Sequence, residues 1–289
     1  MSRDLNTVAV EQFDTEVKHD YQGMAVLDGC TTVRMGIEGD TYDFRRIGKG
    51  QATERTGPSQ DVIPMNIDHG LIQCNIVDWE APEYTDIFDQ AAVNFDEIQE
   101  LAMTIKGAMG RRRDQSKINA MAAGTYSATP TAQQGGLVGT DIGGAGTGLN
   151  IDKLRRAKKY LDDREVPMTD RFALITSEGL EQLLGSTQIT SADFNSVRAL
   201  VQGEVDTFLG FKFKTIGIER EEGGLNKTGA LQDSYFFHKM SIGYAEAFDI
   251  DTRVDWVSQK QSWLAIGIQK HGAVVRDNEG IVRVQYTVS

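Results

Sequence analysis

The sequence predicts an α+β fold, and three observations carry that expectation. Strand-type alternation fills residues 31–86 and returns in the last forty residues; one long stretch of helical spacing runs between about 94 and 123; and a strand–helix–helix–strand order occupies 172–216. With 289 residues, of which 40% are hydrophobic and 25% charged, the chain can bury a core of one large domain or two ordinary ones.

The first thirty residues contain an amphipathic stretch, Val8, Val10, Phe13, Val17 and Tyr21, too short to form a core alone and therefore expected to lie on another surface. From Thr31 to about Asp86, Tyr42 and Phe44 alternate with charges, and Ile72, Cys74 and Ile76 alternate with Gln73 and Asn75, which predicts two facing strands. The intervening IGKGQATERTGPSQD is polar and Gly-rich, so the hairpin is expected to project from the core. Its basic residues Arg45, Arg46, Lys49 and Arg55 sit where apolar residues are few, inside a chain of net charge −12. A basic loop on an acidic body can steer association with a second copy, because opposite potentials set register; a merely solvated loop is the alternative.

Asn94 is placed to cap a helix with Asp96 and Glu97 in its first turn, and Ile98, Leu101, Ile105, Ala108, Met109, Ile118 and Met121 follow at helical spacing. Within it, Arg111, Arg112 and Arg113 precede Asp114; they read either as a solvated face or as one half of an inter-subunit ion pair. Residues 124–150, with seven glycines from Gly135 to Gly148, read as a connector. Asn150 then caps a helix with Ile151, Leu154, Ala157 and Leu161 inside and Lys153, Arg155, Arg156, Lys158 and Lys159 around the rest, ended by Val166-Pro167. A strand Phe172–Thr176, a helix capped by Ser177, a second helix near Asp193–Gln202 and a strand Phe208–Ile216 complete the mixed unit, and Asp277–Gly280 turns the chain into a final strand from Ile281 to Val288.

Chemistry is sparse. His19, His69, His238 and His271 share no close spacing, and Cys30 and Cys74 are too far apart for a metal knuckle, so both read as reduced, packed thiols. Asp249, Asp251 and Asp255 lack the Gly and distal Glu of an EF-hand. GGAGTG at Gly143–Gly148 follows no strand and closes on no Lys-Ser or Lys-Thr, which favours a connector over a phosphate loop. No catalytic, cofactor or metal site is expected. The charge of −12 opposes tight binding to a phosphate backbone. No run approaches the length of a membrane helix, and MSRDLNTVAVEQF lacks a signal-peptide layout, which predicts a cytoplasmic protein where it is made, with no membrane partner.

The segment LNIDKLRRAKKYLDDREVPMTDRFALITSEGLEQLL, residues 149–184, resembles tailed-bacteriophage major capsid proteins: a basic helix, an acidic-Val-Pro-x-x-x-Arg turn, a strand and a Ser-capped helix. DFNSVRALVQGEVDTFLGFKF, residues 193–213, is similar to the continuation, a helix leading through Gly-Glu-Val to a Leu-Gly-Phe strand. RRRDQSKINAM, HKMSIGYAEA and HGAVVRDNEGIVRV fit in order, so the resemblance covers nearly the whole chain.

It implies the capsid fold first seen in a Hong Kong coliphage: an N-terminal arm at 1–30, an extended E-loop hairpin at 31–84, a P-domain with spine helix and connector at 85–150, an A-domain at 151–245, and P-domain C-terminal strands at 246–289. Such subunits form pentamers and hexamers that close into icosahedral shells around packaged double-stranded DNA, with portal and decoration proteins as further partners. They assemble in the host bacterial cytoplasm and end in the virion. Some relatives carry a scaffolding segment ahead of the arm; the arm begins almost at once here, which implies a separate scaffolding protein. Some crosslink a hairpin Lys to a distant Asn; Lys49 fits the Lys by location, and the sequence identifies neither the Asn nor the assisting Glu. The alternatives from other classes are a phage tail-tube or decoration protein, and an α/β enzyme built on 150–220, which would need convergent catalytic groups.

Overall fold

The computed structural model describes residues 25–58, 61–88, 97–124, 137–139, 147–185, 207–218, 220 and 222–288. The amphipathic stretch at 8–21, Asn94, the helix at 193–202 and Gly143–Gly146 lie outside them. In chain order, the described residues form β1 (Thr32–Arg34), β2 (Thr41–Ile47), β3 (His69–Asn75), β4 (Val77–Asp86), α1 (Glu97–Ala122), β5 (Leu137–Gly139), α2 (Ile151–Asp163), β6 (Arg171–Thr176), α3 (Ser177–Leu184), β7 (Thr207–Phe208), β8 (Phe211–Ile216), β9 (Lys227–Thr228), β10 (Leu231–His238), β11 (Ile242–Val257), β12 (Ser262–Val275) and β13 (Ile281–Thr287).

Two sheets share one helix. The four-stranded sheet runs β1-β11-β12-β4, with β1 parallel to β11 and the other pairs antiparallel. The second sheet has β10 at its centre, between β13 and β6; β8 lies parallel to β6 and β5 parallel to β13. Strand alternation sorts its side chains onto two faces. Ala173, Ile175, Phe236, Val282 and Val284 pack with Leu154, Ala157 and Leu161 of α2 and Leu183 of α3. Phe172, Leu174, Tyr235, Phe237 and Ile281 pack instead with Ile118 and Met121 of α1. The other half of α1 covers the four-stranded sheet, with Ile105 and Met109 against Ala265, Trp79 and Ala81. A Cβ on Gly267 would lie 2.4 Å from Ile105 Cγ2, so this glycine lets the helix settle onto β12.

The facing strands expected at 42–76 are β2 and β3, antiparallel, with Tyr42 opposite Cys74 and Phe44 opposite Ile72. Asn150 caps α2 as expected, accepting from Lys153 N at 3.0 Å. Several local readings change. Thr176, not Ser177, caps α3, because its hydroxyl accepts from Gly179 N at 3.1 Å. The strand expected over 208–216 is a tight hairpin, since Leu209 and Gly210 both take positive φ and reverse the chain between β7 and β8. Leu137–Gly139, read as connector, pairs with β13. That last strand, grouped by the sequence with the strands at 246–289, joins the sheet of β6 and β10. Lys153 points inward, 2% exposed, its ammonium donating to Thr147 O and Gln285 O at 2.9 and 3.1 Å.

Candidate functional site

No described part of the chain gathers catalytic or metal-binding groups; the surfaces that stand out are a projecting hairpin, an open sheet face and a buried polar hub on α1. At the root of the hairpin, Phe44 and Cys74 are buried with Ile76 and Ala245, and Tyr42 stacks edge-on against Phe44 at 4.8 Å. The root crosses β12 closely: a Cβ on Gly272 would sit 2.0 Å from Asn75 O, so only glycine admits the crossing. Beyond Phe44 the strand emerges into solvent. Arg45 and Arg46 are exposed, and Gly48 N donating to Asp68 O at 2.7 Å closes the last rung of the ladder. Arg55 bonds locally, donating to Gly57 O at 3.1 Å. Lys49 reaches Glu279 of the same chain at 2.7 Å, with its side chain still 73% exposed. Sequence reading described this tip as poor in apolar residues; its returning limb corrects that, because Val62, Ile63 and Met65 are 93%, 77% and 55% exposed, joined by Ile47 and Leu71 nearer the root. The signal was the Val-Ile-Pro-Met run just past the Gly-rich stretch.

The four-stranded sheet presents the complementary character. Trp79 and Ala81 of β4 and Ala265 of β12 face α1. By alternation and register, the opposite face carries the half-buried Leu264, Ile266 and Ile268, bordered by Asp78, Glu80 and Asp86 on one side and Asp251, Arg253 and Asp255 on the other, with Arg253 paired to Asp251 and Lys270 to Asp78, so that acids outnumber bases. It is an apolar centre with an acidic border.

Arg111, Arg112 and Arg113 are not a solvated face. Arg111 is buried, and Arg112 lies 3.5 Å over the Trp79 ring while pairing with Glu222 at 3.4 Å. Arg113 pairs with the buried Glu246 at 2.9 Å, with Asp28 at 3.6 Å, and with Asp249. The inter-subunit pairing entertained for this run meets a physical obstacle: Arg112 and Arg113 have charged partners inside their own chain. Asp249 reaches Arg113 because β11 is irregular between Glu246 and Asp251, which re-aims its side chains. The next residue, Asp114, is fully buried and accepts from Val26 N, Leu27 N and Arg220, while Lys117, one turn after Arg113 and also buried, donates to Leu27 O and Asp28. His271 closes the hub, its Nε2 2.9 Å from Ser116 Oγ and its ring beside Trp79 and Tyr244. Burial first, and then Arg113, Lys117 and Arg112, push its pKa down to about 3, so it is neutral.

The remaining titratable residues do not converge. His238 accepts from Met240 N, His69 is exposed on β3, and His19 lies outside the described residues. Asp251 pairs with Arg253 at 2.8 Å. Cys30 and Cys74 are free and buried, and burial raises the Cys74 thiol to about 11.

One helix thus bridges a four-stranded and a larger mixed sheet, and a long hairpin rooted on β12 projects from them. Solved structures agree. The capsid of cyanophage P-SCSP1u superimposes with a TM-score of 0.73 at 17% identity, covering 100% of this chain and 96% of that one. The capsid of a native GTA particle gives 0.71 at 16% identity, covering 99% and 98%. The acid-stable capsid of Helicobacter pylori bacteriophage KHP30 gives 0.76 at 8% identity, covering 99% and 98%. No curated protein matches the sequence. The family model for phage capsid protein matches residues 5–288, and the chain belongs to that family: it is a tailed-phage major capsid protein, a structural subunit of the virion shell.

Proposed function

We propose that this subunit tiles through pentamers and hexamers into a closed icosahedral shell around double-stranded DNA, and that the hairpin beyond Phe44 reaches a neighbouring copy. The observation that carries this reading is the exposure of Val62, Ile63 and Met65 beside Arg45, Arg46, Lys49 and Arg55. Soluble subunits rarely leave such a cluster uncovered without a partner. The apolar, acid-bordered face of the four-stranded sheet on a second copy has the matching character. In this reading the arm at 1–30 lies on neighbours. In the division proposed, the projecting hairpin is β2 and β3 with the loop between them, because β1 and β4, also within 31–84, belong to the four-stranded sheet under the spine helix, and β13 goes with the mixed sheet, α2 and α3.

Assembly takes place in the host cytoplasm with a scaffolding protein, and the shell carries portal and decoration proteins. The DNA is held weakly and without sequence preference, because a subunit of charge −12 offers few phosphate contacts in excess. The subunit acts without catalysis or cofactor. Electron microscopy of the full chain co-expressed with its scaffolding protein tests this: closed shells are expected, whereas tubes would indicate a tail protein and small oligomers alone would overturn the reading.

A further inference from the structure

Residues 25–30 form a strap across the middle of α1, and the way they are held is unusual for a chain segment near a terminus. Ala25 passes over Gly110, where a Cβ would meet Ala25 Cβ at 3.6 Å. Asp114, 0% exposed, receives Val26 N at 2.7 Å on one oxygen and Leu27 N at 3.1 Å on the other. Lys117, 1% exposed, returns the contact to Leu27 O at 3.4 Å and Asp28 at 3.1 Å, and Arg113 adds Asp28 from the preceding turn. Leu27 itself is a fully buried plug in the core that holds Ile118, Met121, Leu174 and Ile216.

A buried carboxylate is stabilised only when its lone pairs are filled, and here two of the fillers are backbone N–H groups nearly ninety residues away in sequence. Arg220 at 2.9 Å supplies the compensating charge. Asp114 therefore ties the strap's backbone rather than its side chains: whatever side chain stands at 26, the direction of the chain is set.

We propose that the strap is a latch, and that Asp114 is the positioning residue that fixes the place and direction of the chain at Ala25–Asp28, from which the arm is read to continue, before assembly. This rests on the reading of residues 1–30 as an arm that contacts neighbours. A launch point fixed in the free subunit removes the ordering cost that a loose arm would meet on every contact. Because Arg113 joins Asp28 to Glu246 and Asp249, the latch is mechanically continuous with β11 of the four-stranded sheet.

Two readouts on the full-length protein separate the latch from the wider assembly reading. Hydrogen exchange on the unassembled subunit should show Val26 and Leu27 amides protected in the natural sequence and at least tenfold less so in Asp114→Asn. Should Asp114→Asn fail to fold, Val26→Pro removes one donor without touching α1 and is expected to release the same segment. Particle formation with the scaffolding protein should then fall at least severalfold, or give aberrant shells, in whichever variant loosens the strap while keeping a normal circular-dichroism spectrum. Unchanged protection in both variants overturns the latch, and a loosened strap with normal shell yield overturns its role in directing the arm. If the natural sequence forms no shells, the assembly reading fails, while exchange still reports on the latch.

Discussion

Lys153 and His271 show how much of this subunit's polar chemistry turns inward. Sequence reading grouped Lys153 with Arg155, Arg156, Lys158 and Lys159 on the outer face, yet at helical spacing it stands beside Ala157 at the edge of the buried face; its long stem crosses to two carbonyls, and burial lowers its pKa to about 8. For His271 the pKa of about 3 against an ordinary 6.5 has a definite consequence. Between those values the unfolded chain binds a proton that the folded chain refuses, so the stability is fully present above pH 6.5 and is lost as pH falls toward 3. Each unit of difference corresponds to about 1.4 kcal/mol, which makes the ceiling a few kcal/mol for a ring this deeply buried. The facing groups are Arg112, Arg113, Lys117 and Tyr244, with Glu246 and Asp249 beyond. Thermal melts of the unassembled subunit from pH 7 to pH 4.5 are expected to fall steadily, and His271→Gln to flatten that decline. A natural-sequence melt independent of pH over this range would contradict a neutral, buried His271.

At the scale of elements, α1 carries the most load, because its two halves close the cores of two sheets. Periodicity alone identified Ile105, Met109, Ile118 and Met121 as its inner face, and all four are buried. Leu101, placed on the same face, is only half-buried, and truncating it is expected to cost less than truncating a sealed neighbour. Ile105, 5% exposed and pressed against Gly267, is that neighbour. Ile105→Ala should destabilise by about 2 to 5 kcal/mol, read as a shift in the denaturant midpoint of the unassembled subunit. A change under about 0.5 kcal/mol would place it on the surface. What periodicity could not show was the run from Arg111 to Lys117. Charges in sequence look solvated until their partners are known, and these partners sit at 26–28, 79, 220, 222, 246 and 249, brought in by strands whose pairing alternation does not specify. The same blindness put β13 with the wrong strands: its pattern of Ile281, Val282, Val284 and Tyr286 reveals a buried strand, but not that β10 and β5 flank it.

For the whole molecule, the question is which part of the hairpin drives contact between copies. Magnitudes divide the work. Fully burying a side chain the size of Val, Ile or Met is worth about 1.5 to 3 kcal/mol, whereas an exposed ion pair contributes about 0 to 1. In the proposed contact, Val62, Ile63 and Met65, all exposed, would supply affinity, and Arg45, Arg46 and Lys49 would supply steering and register. The internal Lys49–Glu279 pair does not alter this, because the lysine side chain remains mostly in water. Two variants separate the roles. Replacing Val62, Ile63 and Met65 together by Ser should leave a folded subunit, since none contributes to a core, and should abolish closed particles at every ionic strength. Reversing Arg45, Arg46 and Lys49 together to Glu should leave a normal circular-dichroism spectrum but prevent closure or give particles that come apart readily in heat. Because screening weakens like-charge repulsion between exposed groups, added salt should recover part of the assembly lost by charge reversal and none of that lost with the apolar residues. Electron microscopy and light scattering over a salt series measure both, and unchanged yield with unchanged resistance to salt and heat in the two variants would mean that the hairpin does not bridge copies.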